Sequence, residues 1–214
     1  MNTPLDKNND QPTGPGPIAT AKAATRRLGK AGIAAIVVAV LAAGYLLIGL
    51  AVGSPLGREG VMLYSFVYVA MNVGAFAVVQ AVGSAKGSYD LSAFDGLAKH
   101  RLGLALSLMF CLLSLAGIPP LAGFMGKLLI FSSAVKAGAW WLAVVGVLNS
   151  VVSVYYYFAI AHRMFFREPS DDGAIPVGAY VCGGVALAVV GVLLFGLHPE
   201  PLLAGVRAST QILP

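Results

Sequence analysis

One residue in this chain joins a titratable group to surroundings that penalise its charge. Lys127 stands in Gly123-Phe-Met-Gly-Lys127-Leu-Leu-Ile-Phe131, within an otherwise uncharged run from Leu102 to Val135. A lysine near the middle of a membrane-spanning helix costs roughly 2.5–3.5 kcal/mol on insertion scales. Such a residue is rarely accidental, and an ammonium, unlike a guanidinium, can give up its proton when desolvated. Proton loading and release is the chemistry Lys127 offers. The plainer alternative is that its long side chain snorkels to the nearer membrane surface, since the run ends eight residues later.

Other polar side chains lie within apolar stretches and are candidates for organising water on a proton path: Tyr68, Asn72, Ser114 and Ser150. Tyr155-Tyr156-Tyr157 is ambivalent. Consecutive helical residues point about 100° apart, so at most two of the three share a face, and an interfacial aromatic belt accounts for them as well as a hydroxyl relay does. Trp140-Trp141 read as belt. Asn149, Ser150 and Ser153 either line a polar seam or serve helix packing. His162 sits beside Arg163 at a helix end, and His100 and His198 fall in loops. The two cysteines, Cys111 and Cys182, are single, so neither metal-ligand nor CxxC spacing appears, and no metal or cofactor is expected.

The elements that must position these residues are apolar helices. A bilayer core of roughly 30 Å takes about 20 residues of helix, and five stretches qualify: 33–53, 61–83, 102–135, 139–161 and 176–197. The third is too long. Its 34 residues would reach about 51 Å as one helix. It also carries Gly117-Ile-Pro119-Pro120 and Gly123, and two prolines remove donors and push the residue before them out of the helical region. A break over residues 117–123 is predicted, with Gly117, Pro119, Pro120 and Gly123 as its agents. Non-helical backbone at membrane depth is tolerated where protein or a water-filled cavity surrounds it, and broken helices of this kind mark ion paths in transporters. A simple proline kink is the alternative.

Composition agrees with an all-α membrane protein of about five transmembrane helices. The 214 residues are 58% hydrophobic and 11% charged, with a mean hydropathy of +0.82, whereas a soluble domain is about a quarter charged. The net charge of +5 comes from basic residues flanking apolar runs, with no aromatic-interleaved basic patch for nucleic acid. If the amino terminus is cytoplasmic, Lys7, Lys22, Arg26, Arg27, Lys30, Lys86, Lys99, Arg101, Arg163 and Arg167 lie inside, and only Arg58, Lys136 and Arg207 outside. That bias predicts a multi-pass protein of a bacterial inner membrane with the amino terminus inside and the carboxyl terminus outside. Residues 1–32, with Asn8-Asn9-Asp10 and Pro12, Pro15 and Pro17 among glycines, read as a disordered polar and basic tail. Residues 33–214 form the membrane domain.

From Gly44 onward the chain resembles subunit N of bacterial NADH-quinone oxidoreductase (respiratory complex I), an antiporter-like membrane subunit. The resemblance rests on Gly44-Tyr-Leu-Leu-Ile-Gly-Leu50, Met71-Asn-Val-Gly-Ala-Phe-Ala-Val-Val79, Asp90-Leu-Ser-Ala-Phe-Asp-Gly-Leu97, and Leu113-Ser-Leu-Ala-Gly-Ile-Pro-Pro-Leu-Ala-Gly-Phe-Met-Gly-Lys127. Trp141-Leu, Leu148-Asn-Ser-Val-Val-Ser-Val-Tyr-Tyr-Tyr157 and Pro199-Glu-Pro-Leu202 continue it. The proline segment is shared with sister antiporter-like subunits and with cation/proton antiporters.

The resemblance implies that Lys127 is the family's proton-translocating lysine on its broken helix, and that the five spans match the last five of about fourteen. Sister subunits carry His or Lys on the helix matching Val61–Gly83, where this chain has Tyr68 and Asn72. The family's first inverted repeat, with its own lysine and acidic partner, has no counterpart here. The expected function is the carboxyl-terminal half of a proton-translocating module, with no redox chemistry in this chain. Its expected partners are the lipid bilayer, the other membrane subunits, and whichever chain supplies the first repeat. A non-catalytic packing component and a subunit of a multi-subunit cation/proton antiporter stand as alternatives.

Overall fold

The computed structural model describes residues 43–169 and 175–212. The tail predicted for residues 1–32, and the first ten residues of the first span, lie outside the described residues. Among the described residues the structure is helical, without strands: α1 (Ala43–Val52), α2 (Pro55–Lys86), a 3-10 turn (Leu91–Phe94), α3 (Leu97–His100), α4 (Leu102–Ala116), α5 (Ala122–Lys136), α6 (Trp140–Phe166), α7 (Ala179–Leu197) and α8 (Glu200–Ile212). Three of these, α2, α6 and α7, are long and apolar enough to cross a membrane.

Helix α2 is the axis of the bundle. Ser54 caps its amino end, its hydroxyl accepting from the Gly57 amide at 3.0 Å, with Pro55 in the first turn and Gly87 closing the other end at φ +62°. Its interior positions Tyr64, Val67, Met71, Val78 and Val82 are almost fully enclosed. By contrast α6 and α7 bury only narrow stripes, Ala143, Gly146, Ser153 and Met164 on one and Val185, Ala188 and Val192 on the other. Others, such as Leu142 and Tyr157 on α6 and Val189 and Leu193 on α7, pack partly against the core, and Val144, Val151, Leu187 and Val190 face outward.

The third apolar run is two helices stacked end to end, which rules out a kink in one continuous helix. The contacts of α2 fix the arrangement. Cys111 of α4 lies against Gly74, Gly123 against Met71, Gly126 against Tyr64, and Ile130 against Gly60. The numbers rise on one side as they fall on the other, so α4 and α5 run in one direction, antiparallel to α2. Each half has 15 residues, about 22 Å, so neither crosses a bilayer core alone. A Cβ at Gly126 would lie 2.8 Å from the Tyr64 Cβ and 2.9 Å from its Cα; glycine is what lets α5 approach the α2 backbone here.

Three features differ from the sequence expectation. The break covers residues 117–121, and Gly123 already belongs to the first turn of α5. No helix was predicted after the span ending at Leu197, yet Glu200–Ile212 is helical, with Leu203 and Val206 buried and Arg207 3.4 Å from Glu59 at the start of α2. His100, expected in a loop, ends the short helix α3 within a folded segment between α2 and α4. Asp95 accepts from Arg163 Nη1 at 3.0 and 3.2 Å and lies 3.8 Å from Arg167, while the Gly96 amide donates to the Arg163 carbonyl. This polar clamp ties the segment to the carboxyl end of α6.

Candidate functional site

The break is built by accounting for the last carbonyls of α4. Any helix end leaves four without an intrahelical partner. Gly117 adopts φ +85°, and its amide donates to the Leu113 and Ser114 carbonyls, while the Ile118 amide also donates to Leu113. Such a glycine-closed end satisfies the carbonyls one turn back. The Leu115 and Ala116 carbonyls remain. Both accept from Lys127 Nζ, at 2.8 and 3.1 Å.

Lys127 is therefore a cap on a helix to which it does not belong. Side chains of a helix lean toward its amino end, so from its place on α5 the lysine reaches back to the break, away from the nearer end of the apolar run. Only 4% of the residue is exposed. Snorkelling is excluded by this direction. The cation rests at the negative end of the α4 dipole, its Nζ 4.5 Å from the centroid of the Tyr45 ring and 3.4 Å from Ser150 Oγ. Tyr45 and Ser150 join their hydroxyls at 2.8 Å. Among the described residues no carboxylate bonds to Lys127.

The other side of the break has its own device. Ser114 Oγ accepts from the Gly123 amide at 3.0 Å, so a buried side chain of α4 caps the start of α5. A Cβ at Gly123 would collide with the Ser114 carbonyl; glycine is required for the two half-helices to meet. Pro119 and Pro120 are joined by a cis bond and are exposed at the surface of the bundle.

Of the side chains proposed to accompany Lys127, the structure brings one into contact. Ser150 bonds it directly. Ser114 shapes the break without touching the ammonium. Tyr68 and Asn72 make a local pair, Asn72 Nδ2 donating to the Tyr68 carbonyl at 2.7 Å; the Tyr68 ring is joined to the site through Tyr64, centroids 5.8 Å apart, and Tyr64 through Tyr45 at 5.9 Å. Tyr45 was not singled out from the sequence. Its signal was its isolation, as the one side chain with a polar group between Ile33 and Gly53.

The family described as NADH:quinone oxidoreductase/Mrp antiporter, TM, matches residues 38–153. NADH-quinone oxidoreductase subunit N of Paramagnetospirillum magneticum is 40% identical over 174 residues, covering 79% of this chain and 35% of the relative. Subunit N of Heliobacterium modesticaldum is 44% identical over 163 residues, covering 76% and 34%. A chain of respiratory complex I from Thermus thermophilus, solved with bound aureothin, is similar with a TM-score of 0.62 at 28% identity, covering 79% of this chain and 44% of that one. This chain spans about a third of the length of the curated relatives it matches.

Proposed function

Because the chain belongs to the NADH:quinone oxidoreductase/Mrp antiporter transmembrane family, we propose that it carries the lysine-bearing half of a proton-translocating unit in a bacterial NADH-quinone oxidoreductase. The observation that carries the reading is the way the Lys127 charge is held. Its ammonium is buried at a helix break and satisfied by two carbonyls, one hydroxyl and an aromatic face. All of these are neutral groups. Losing the proton leaves no opposite charge stranded in the membrane, so loading and release cost less than they would against a buried carboxylate. Lys127 is the loading site, Ser150 its hydrogen-bonding neighbour, and Ser114, Gly117 and Gly123 maintain the break.

Electron transfer belongs to other subunits in this proposal. The chain works among membrane partners, including whichever chain provides the remaining helices of the relatives, with its amino terminus cytoplasmic. The relatives at 40% and 44% identity are both quinone oxidoreductase subunits, which favours this reading over a cation/proton antiporter subunit.

The test is proton uptake by membrane vesicles holding the assembled complex. Lys127→Ala should abolish the uptake attributable to this subunit while the complex still assembles. Lys127→Arg should also fail, because a guanidinium keeps the charge but does not release its proton at accessible pH. Full uptake with arginine would make Lys127 an electrostatic fixture, and normal uptake with alanine would make the break architecture alone.

A further inference from the structure

Beside Lys127, helices α1, α2 and α6 turn hydroxyl-bearing faces toward one another. On α6, Ser150, Ser153 and Tyr157 recur at spacings of three and four, on one side of the helix. Ser153 is buried and Tyr157 packs against the core, whereas Tyr155 and Tyr156 are 73% and 58% exposed. The tyrosine triplet is thus divided, with one member turned inward and two outward. On α2, Tyr64, Tyr68 and Asn72 recur every four residues, and Tyr157 lies within electrostatic reach of both Tyr64 and Tyr68. Tyr45 of α1 stands at the junction. Its hydroxyl bonds Ser150, and the Ser153 and Asn149 side chains lie beside it.

The two stripes share a direction. From the level of Lys127, rising residue number on α2 leads to Lys86 and on α6 to Arg163. That end of the bundle is where Asp95 holds Arg163. Toward the other end, α5 and α6 pack apolar residues such as Ile130 and Ala143.

We infer that Tyr45, Ser153 and Tyr157 extend the lysine site into a hydroxyl relay leading toward the Asp95–Arg163 end, with Tyr45 as its link to Lys127. This rests on the reading of Lys127 as the proton-loading group. The step moves one proton and no electrons. The neutral Lys127 amine takes the proton of the Ser150 hydroxyl; the Ser150 oxygen takes that of the Tyr45 hydroxyl; the Tyr45 oxygen takes an excess proton arriving on water along the Ser153–Tyr157 side. Each O–H bond broken is re-formed, and the sole net change is that the amine becomes an ammonium. The Tyr45 ring then holds the cation against its face. One side chain so has two separable parts, a hydroxyl that supplies the proton and a ring that retains it.

Vesicles of the assembled complex separate the two parts. The readouts are the initial rate of NADH-driven proton uptake per NADH oxidised, and the ratio of that rate in H2O to that in D2O. Tyr45→Phe keeps the ring, removes the hydroxyl, and should lower uptake by about tenfold, a modest share of what a positioned proton-transfer group contributes, while changing the isotope ratio. Ser150→Ala should do the same, Ser150→Thr should retain uptake, and the Tyr45→Phe/Ser150→Ala double variant should be no worse than either single one, since both break one link. Unchanged uptake in Tyr45→Phe overturns the relay, as does lowered uptake with an unchanged isotope ratio, which marks a merely structural tyrosine. Lys127→Ala in parallel distinguishes the failures. If alanine pumps normally, the lysine reading falls; if alanine is inactive and Tyr45→Phe normal, the relay alone falls.

Discussion

The molecule withdraws a cation from water in two places, fully for Lys127 and partly for Arg163, and holds the two by opposite means. At the break, the Lys127 ammonium is bound by the Leu115 and Ala116 carbonyls and by Ser150. At the far end of α6, the Arg163 guanidinium is bound by the Asp95 carboxylate. A charge held by a charge is fixed, since neutralising either partner strands the other. A charge held by dipoles is conditional, because the carbonyls are equally neutral before and after the proton leaves. The residue types follow the same division: the group that can deprotonate faces dipoles, and the group that cannot faces a carboxylate. The chain puts its permanent ion pair where it anchors a loop and its titratable cation where a helix is interrupted.

Exchanging one charged side chain for alanine at each place, the lysine at the break and the aspartate of the clamp, gives the largest expected contrast. Lys127→Ala should remove the proton uptake attributable to this subunit and leave assembly of the complex near normal, because the two freed carbonyls sit at a glycine-lined break where water can replace the ammonium. Asp95→Ala should do the reverse. Uptake per assembled complex should be retained, and the quantity of complex recovered in gentle detergent should fall. Pumping loss from Asp95→Ala without any loss of complex would collapse the distinction between the two sites.

The second effect is the stability cost of that same aspartate. The Asp95 side chain is 12% exposed and Arg163 28%, between an exposed pair worth under about 1 kcal/mol and a fully buried pair whose breaking costs about 3–5 kcal/mol. Asp95→Ala should thus cost about 2 kcal/mol, read as a lowered melting temperature of the purified complex. Asp95→Asn should cost less, since an amide oxygen still accepts from Arg163. Equal losses for both would mean that charge, rather than hydrogen bonding, holds the clamp.

Ser114→Ala is smaller again. It removes the acceptor for the Gly123 amide at a helix start, a loss of about 1 kcal/mol, but leaves the Lys127 ligands in place. Thermal stability should fall modestly with proton uptake almost unaltered. A large loss of uptake would give Ser114 a part in the proton path beyond its hold on the break.

These expectations also show which parts were legible before the structure. The broken third span was readable because a run of 34 apolar residues holding two adjacent prolines is a local contradiction that admits few resolutions. Lys127 was readable because a lone charge in such a run is costly wherever it points. Its ligands were not. Which carbonyls remain open depends on how Gly117 closes α4, and a glycine in a sequence does not announce its φ. Tyr45 escaped for another reason: lone tyrosines in apolar helices are commonly packing residues, and its meeting with Ser150 joins positions 105 residues apart. The clamp at Asp95 escaped because loop charges read as topology signals; their pairing is tertiary. Helix α8 escaped because a short amphipathic stretch following a span forms only where a neighbour, here the start of α2, gives its apolar side a surface.

The smallest effect sharpens the comparison most. Lys99 Nζ lies 2.6 Å from both Glu168 carboxylate oxygens, closer than Arg163 lies to Asp95 and closer than Lys127 lies to any of its ligands. Distance alone would rank it the strongest contact of the three. Yet its side chains are 49% and 83% exposed, so water already solvates both charges, and holding two long side chains in one geometry costs entropy. Lys99→Ala should change the melting temperature of the complex by an amount equivalent to less than about 0.5 kcal/mol, with uptake unchanged, and 0.5 M salt should leave the difference between variant and parent near zero. A cost approaching that of Asp95→Ala would mean that ion-pair length governs this end of the molecule. The expected near-silence instead makes the surroundings decisive: a short pair in water does little, a longer pair partly withdrawn from water anchors a loop, and a cation withdrawn from it among neutral groups is the one proposed here to change its charge.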